Sequence, residues 1–289
     1  VESLVGKTAV ITGGASGMGR AFADRLARAG MNIVVADIET PPLDVAVTEL
    51  QAHGTQVLGV RCDVSDAASV KALAARAFEA FGTVHVVCLN AGVAGGNGPI
   101  ETLTEADWTW TLGVNVFGII HGIAAFLPHI KEHGDGHLVI TASIAGLTSF
   151  SGAAPYNTSK HAAIAIAETM FSELRDAGSS VGVSCLCPGI VRTRIIESER
   201  NRPEAMRRAG VPAAPTPEQV DVHRAVLDIF AQAKPPAEVA DLVHDAIIAK
   251  QFWIFTDEVY TPAIHERLDS IRARTDPPGH GSLVEVYLR

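Results

Sequence analysis

Tyr156 and Lys160 lie four residues apart, so on a helix they share one face and bring a phenol beside an ammonium group. A phenol with an ordinary pKa of about 10 is a weak base at neutral pH, and a nearby positive charge moves it toward the phenolate. Ser143 follows a β-branched run and is able to hydrogen-bond a substrate oxygen and hold it against the phenol. Asn115 stands in a helical stretch between Gly113 and Gly118, where an amide side chain costs helix stability, so a polar role would account for it. The four residues together fit proton transfer at a hydroxyl or carbonyl oxygen. Each also has an ordinary reading: a surface Tyr-Lys pair, a loop serine, an asparagine bonded to backbone.

A second constellation begins at Thr12-Gly13-Gly14-Ala15-Ser16-Gly17-Met18-Gly19, between a strand pattern and a helix pattern. Glycines there let backbone approach a diphosphate, and the helix beginning near Gly17 aims free N–H groups and its dipole at the anion. A tight strand-helix turn is the alternative. Asp37 ends the second strand pattern, where a carboxylate accepts both hydroxyls of an adenosine ribose and repels a 2′-phosphate. With Ser16 and Ile38 beside it rather than basic residues, NAD is expected over NADP. Alone, Asp37 also fits a solvated loop acid. Asp63 has two readings, acceptor for the adenine amino group or cap of the helix from Ala67. Val64 beside it, Met18 in the glycine loop, and Asn90-Ala91-Gly92 after the fourth strand complete this part of the cofactor-facing set.

These residues need a scaffold that gathers them. Seven β-branched runs, at 8–12, 32–36, 56–61, 84–89, 137–141, 181–187 and 252–255, alternate with stretches of helical period. Strands this apolar, each returning through a helix, predict an α/β fold with a doubly wound parallel sheet. Ser65 or Asp66 should start a helix that Gly82 stops, and Thr104 with Asp107 forms a capping box. The candidate residues fall at the carboxyl ends of the strands, where open α/β sheets bind ligands. The chain reads as one domain over 1–289, with a helical substrate lobe or lid at 190–236 and a tail at 275–289.

Composition narrows the function classes. Hydrophobic residues at 47%, charged residues at 19% and 26 dispersed glycines exclude a disordered, collagenous or coiled-coil chain. A net charge of −9 leaves no basic surplus for nucleic acid. The opening VESLVGKTAVITGG has no charged n-region or apolar h-region, and no window of about 18 apolar residues is expected to span a membrane, so a cytoplasmic protein is predicted. Cys62, Cys88, Cys185 and Cys187 sit in apolar runs, as buried reduced thiols do.

Other motifs have better bland readings. His129-Ile-Lys-Glu132-His133 matches the H-x-x-E-H zinc pattern but sits before the fifth strand, at the far end of the sheet from the other candidates, so no metal is expected. Gly6-Lys7-Thr8 enters a strand without a glycine-rich loop before it. Asn157-Thr-Ser159 is a sequon inside the Tyr156 helix. Arg192, Arg194, Arg200, Arg202, Arg207 and Arg208, interleaved with Glu197, Glu199 and Glu204, read as a solvated amphipathic lid rather than a steering patch. Trp108 and Trp110 read as packing or interface residues.

From Gly6 to Thr193 the sequence resembles the short-chain dehydrogenase/reductase family. The resemblance rests on the glycine motif from Thr12 to Gly19, Asn90-Ala91-Gly92, Asn115, Ser143, Tyr156-x-x-x-Lys160 and Pro188-Gly189 with Thr193, in the family's order and spacing. It implies a Rossmann-type fold, a catalytic tetrad of Asn115, Ser143, Tyr156 and Lys160, and a water held by Asn115 in a proton relay through Lys160. It also implies contacts from Ile190 and Thr193 to the nicotinamide carboxamide, and a homodimer or homotetramer joined through the helices carrying Asn115 and Tyr156. Leu89 departs from the pattern, which usually has a second asparagine there. The expected reaction is hydride transfer between NAD and a secondary alcohol or ketone, with Tyr156 exchanging the hydroxyl proton. The apolar Val93, Ala94, Ile144, Phe150, Ile190, Ile195 and Ile196 favour a largely apolar small-molecule substrate. A non-catalytic NAD(H) sensor and a dehydratase or epimerase on the same scaffold are the alternatives.

Overall fold

The computed structural model describes residues 3–207 and 217–281. Arg208, residues 208–216 of the expected lobe and residues 282–289 of the tail lie outside them. Among the described residues seven strands form one parallel sheet: β1 (Thr8–Thr12), β2 (Asn32–Asp37), β3 (Val57–Arg61), β4 (Val86–Leu89), β5 (His137–Thr141), β6 (Gly182–Cys187) and β7 (Trp253–Phe255). Their order is β3-β2-β1-β4-β5-β6-β7. The chain reverses direction across the sheet between β1 and β4, and this switch point opens a crevice above the strand ends.

The strand sequences dictate how the layers form. Side chains alternate between faces, so Val10, Val34, Val87, Leu138 and Ile140 enter one core. Their partners are Leu73 of α3 (Ala67–Phe81), Phe126 and Ile130 of α5 (Gly118–His133), and Ala163 and Met170 of α6 (Ala154–Asp176). Ala9, Ile11, Ile33, Val35, Val86 and Cys88 enter the other. There they meet Phe22 and Leu26 of α1 (Gly17–Arg28), Leu43 and Leu50 of α2 (Thr40–Gln51), and Val239 and Val243 of α8 (Pro236–Ala249). Helices on both faces leave no strand face of the central sheet wet, which is why the strands read as continuous apolar runs.

Local signals fix the ends of several elements. Asp66 caps α3 by accepting from the Ala68 N–H at 2.9 Å, and Gly82 ends it at φ +69°. Asp63 is therefore free of capping; its carboxylate accepts from the N–H and hydroxyl of Ser65. Thr104 and Asp107 form the reciprocal box at the start of α4 (Glu105–Leu112). Between α4 and α5 the backbone makes a π-helical turn, Gly113–Phe117, with Asn115 at its centre. Asn115 thus stands in a bulge rather than a regular helix, a form of backbone frequent at functional sites.

The continuous helical run Glu105–His133 is long and apolar enough to cross a membrane, with mean hydropathy 1.6, a feature the sequence reading did not find. Its Ile119, Phe126 and Ile130 side chains pack into the core beneath the sheet. After β6, a 3-10 segment (Ile195–Asn201) and α7 (Pro217–Gln232) precede α8, and α9 (Thr261–Ala273) follows β7. The Arg/Glu stretch is not uniformly solvated. Arg202 is buried, ion-paired to Asp107 at 2.8 Å, and lies 5.1 Å from the centroid of the Trp110 ring. The interleaved charges hid this, because Arg202 pairs with a helix 95 positions upstream as well as with neighbouring Glu199.

His137 gives the fold an acid limit. Its Nε2 lies 2.7 Å from the Ser184 hydroxyl, which donates its only proton to the Gln251 carbonyl, so His137 must donate from Nε2. Nδ1 has no partner among the described residues, and burial pushes the pKa down to about 3 from 6.5. The folded state binds fewer protons than the unfolded chain between these values, so stability falls as pH drops through the window. Urea unfolding should show a loss of about 1.4 kcal/mol per pH unit below pH 6 from this residue. His137→Leu should flatten that part of the slope.

Candidate active site

A cavity of about 760 Å³ lies over the switch point. One end is formed by Gly13, Ser16, Gly17, Met18 and Asp37, with Asp63 and Val64 on its flank; Ser143, Tyr156 and Lys160 stand at the other. Asn90, Ala91, Gly92, Pro188, Gly189 and Thr193 line the same space. Gly19, Asn115 and Ile190 do not line it. Gly19 packs beneath the loop: a Cβ there would sit 2.2 Å from the Gly13 carbonyl and 2.6 Å from Asn90 Nδ2. Gly19→Ala should therefore cost about 1–3 kcal/mol in urea unfolding, the scale of overpacking a tight contact. The Ile190 side chain is buried, and Val191 reaches the cavity instead. Ile144 is likewise buried and contributes no lining.

The glycine loop fits a dinucleotide. Gly13 has φ +63°, and a Cβ on it would come within 2.9 Å of Ala91 Cα. Gly17 at φ +53° faces the Thr193 side chain, so the loop and the segment after β6 approach each other from two sides of the cavity. Asp37 Oδ2 accepts from the Ala15 N–H at 3.0 Å and Oδ1 from the Glu39 N–H at 3.1 Å. Burial raises its pKa, and these two bonds oppose the rise. Asn90 ties three strands together: its N–H donates to Thr12 Oγ1, its Nδ2 to the Thr12 carbonyl, and its Oδ1 accepts from Thr141. Leu89, the departure from the family pattern, fills a notch over Gly122 of α5, where a Cβ would lie 2.3 Å from it.

Lys160 is buried and donates from Nζ to the Thr141 carbonyl at 3.0 Å. Nζ lies 5.5 Å from the Tyr156 ring centroid, and burial pushes its pKa down to about 8. Tyr156 behaves differently from the sequence expectation. Burial raises its phenol pKa, and a hydrogen bond with Ser143 pulls it down, so the phenol stays protonated at neutral pH. Ser143 Oγ also accepts from the Ala145 N–H. Asn115 Oδ1 accepts from the Val93 N–H at 2.8 Å, while Nδ2 donates to the Val93 carbonyl and to Ser159 Oγ. Both amide protons are committed, so this side chain pins the loop after β4 to α6.

Sequence reasoning missed three features of the wall. Arg194 and Arg200 line the same end as Asp37, supplied from far along the chain, so basic side chains are near the acid after all. Arg200 is held by Glu39 through two contacts, at 3.0 and 2.8 Å. Behind Gly189, its N–H donates to Thr256 Oγ1, whose hydroxyl donates to Asp257. Val226 and Phe230 of α7 close the apolar side with Trp110 and Phe150. No local motif marks any of these residues.

The H-x-x-E-H histidines have structural partners: His133 contacts the Val84 carbonyl and the Asp135 N–H, and His129 packs 4.2 Å from the Phe78 ring. Cys185 and Cys187 share one strand face with sulfurs 3.9 Å apart, and both are buried free thiols.

A parallel sheet in this order, with a glycine loop at its switch point and a Tyr-Lys pair across the same cavity, defines a nucleotide-fold oxidoreductase class. Residues 7–204 match the family model described as short chain dehydrogenase. The chain belongs to the short-chain dehydrogenase/reductase family. It is 43% identical over 188 residues to the 1-deoxy-11-beta-hydroxypentalenate dehydrogenase of Streptomyces avermitilis, covering 64% of this chain and 69% of that protein. It is 30% identical over 277 residues to a CLA biosynthesis dehydrogenase/reductase of Lactiplantibacillus plantarum, covering 95% and 96%. A short chain dehydrogenase/reductase from Burkholderia phymatum, solved in complex with NAD, superposes with a TM-score of 0.90 at 41% identity, covering 96% of this chain and 98% of that one.

Proposed function

We propose that this protein is an NAD-dependent oxidoreductase that interconverts a secondary alcohol and a ketone of largely apolar character. The observation that carries the reading is the single cavity that holds Asp37 and the glycine loop at one end and Ser143, Tyr156 and Lys160 at the other. The bound dinucleotide supplies the hydride acceptor or donor. Asp37 accepts the ribose hydroxyls, and the N–H groups around Gly17 and Met18 receive the diphosphate. The segment containing Pro188, Gly189, Ile190 and Thr193 borders the nicotinamide.

Tyr156 exchanges the substrate's hydroxyl proton, and Ser143 holds the substrate oxygen against it. Because burial keeps the phenol protonated, Tyr156 is set to donate a proton to a ketone; in the oxidative direction, added positive charge near the phenol must offset the burial. Lys160 supplies one such charge below pH 8. Asn115 is a positioning residue: with both amide protons donated, only its oxygens are open to a relay water. Trp110, Phe150, Ile195, Ile196 and Phe230 give the substrate end its apolar character. Exposed Phe117, Ile120 and Phe171 on the α4–α5 run and α6 support a homodimer or homotetramer through those helices.

The test is reduction of NAD across steroid, aryl and aliphatic secondary alcohols, with NADP run in parallel. NADH release with at least one apolar alcohol is expected. Binding of NADH without turnover of any alcohol or ketone would point to a sensor, and a product at the starting redox level to dehydration or epimerisation.

A further inference from the structure

Arg200 belongs to the 3-10 segment after β6, and Glu39 follows the end of β2, yet the two side chains meet across 161 residues of chain. The contact is bidentate, Nε to Oε1 at 3.0 Å and Nη2 to Oε2 at 2.8 Å, a fork geometry that holds both groups firmly. Both side chains are about one quarter exposed, 25% and 22%, and both border the cavity beside Asp37 and Ile38. Nη1 of Arg200 is anchored separately, to the carbonyls of Arg194 and Glu197. The guanidinium is therefore positioned by backbone through one nitrogen and neutralised by Glu39 through the other two.

Among the described residues the other charges lining this end are Asp37, Asp63 and Arg194, whose guanidinium is paired to Glu197 at 2.9 Å. Three carboxylates thus face two guanidinium groups around the site where an adenosine ribose would lie. A 2′-phosphate brings close to two negative charges and a strong preference for an unpaired Arg fork. We propose that Glu39 is a second determinant of coenzyme choice, acting by withholding the Arg200 guanidinium from a 2′-phosphate. This rests on the ribose-end role given to Asp37, and adds to it that the acid after β2 and the arginine of the later segment operate as one unit. Removing the carboxylate alone leaves Arg200 in place, still held through Nη1, with its Nε–Nη2 edge open to the cavity. Removing the arginine instead leaves a net surplus of negative charge.

The experiment is calorimetric binding of NAD and NADP to the parent, Glu39→Gln, Arg200→Ala and the double variant, with a melting curve for each. The parent should prefer NAD. In E39Q the ratio of NADP to NAD dissociation constants should fall about tenfold, the effect of one charge-assisted contact. In R200A it should rise, and in the double variant the E39Q gain should vanish. A ratio within twofold of the parent in E39Q, or a gain that survives removal of Arg200, overturns the pairing role. A parent that prefers NADP would instead sink the reading of Asp37, and a parent that binds neither dinucleotide would sink the proposed function and this inference with it.

Discussion

Tyr156→Phe is expected to lower turnover of the best alcohol by about 10³-fold, within the range for losing a positioned acid or base. The substitution deletes one oxygen and leaves the ring against the same core residues. Ser143 loses a partner but keeps its bond from the Ala145 N–H. Stability and NADH affinity should therefore stay near the parental values, within about 1 kcal/mol for unfolding. Steady-state rates combined with calorimetric NADH binding separate the two effects. A variant that retains a tenth of the parental turnover would remove Tyr156 from the proton-transfer role.

Lys160→Met should produce a more stable and nearly inactive protein. Burial holds the Lys160 pKa down to about 8 from 10.5. Between those values the folded protein binds fewer protons than the unfolded chain, so stability rises with pH across that window. Below pH 8 the whole penalty of the buried ammonium remains, about 3 kcal/mol. Methionine keeps the length and removes the charge, at the loss of the hydrogen bond to Thr141, about 1 kcal/mol. A net gain of about 2 kcal/mol is expected at pH 7, and the rise from pH 8 to 10 expected of the parent should be absent. Turnover should fall by at least about 10²-fold. Urea unfolding at pH 7 and pH 10 checks the first claim, and initial rates the second. A destabilised variant would mean that the Thr141 contact outweighs the desolvation of the charge.

The sequence made the scaffold legible because each strand carries its own signal. Val10 and Val34 alternate with Ala9 and Ile33 on strands that helices cover from both sides, and no long-range information is needed to see that. The same holds for the capping box at Thr104 and for Gly82, whose cues lie within a few residues of the element they end. The glycine loop and the Tyr156-Lys160 spacing were legible for the same reason. What stayed hidden depends on which distant residues meet. Arg202 reads as one of a row of surface arginines until α4 brings Asp107 under it. Arg200 and Glu39 become partners only when β2 and the segment after β6 reach the same rim. The protonated phenol was missed because spacing shows that an ammonium is near, while burial, which decides the sign, is a property of the packed site.

The π turn at Gly113–Phe117 has a consequence for how this chain tolerates insertions and deletions. An extra backbone unit is absorbed there, and a helix turns by about 100° per residue. Excising a single position there would let the segment relax into ordinary α-helix and leave Phe126 and Ile130 aimed at the sheet, whereas the same loss between Gly118 and Phe126 would swing both by about 100°. The turn is thus the slack in this run: one codon can vanish there without turning the core face, and what it forfeits is the placement of Asn115.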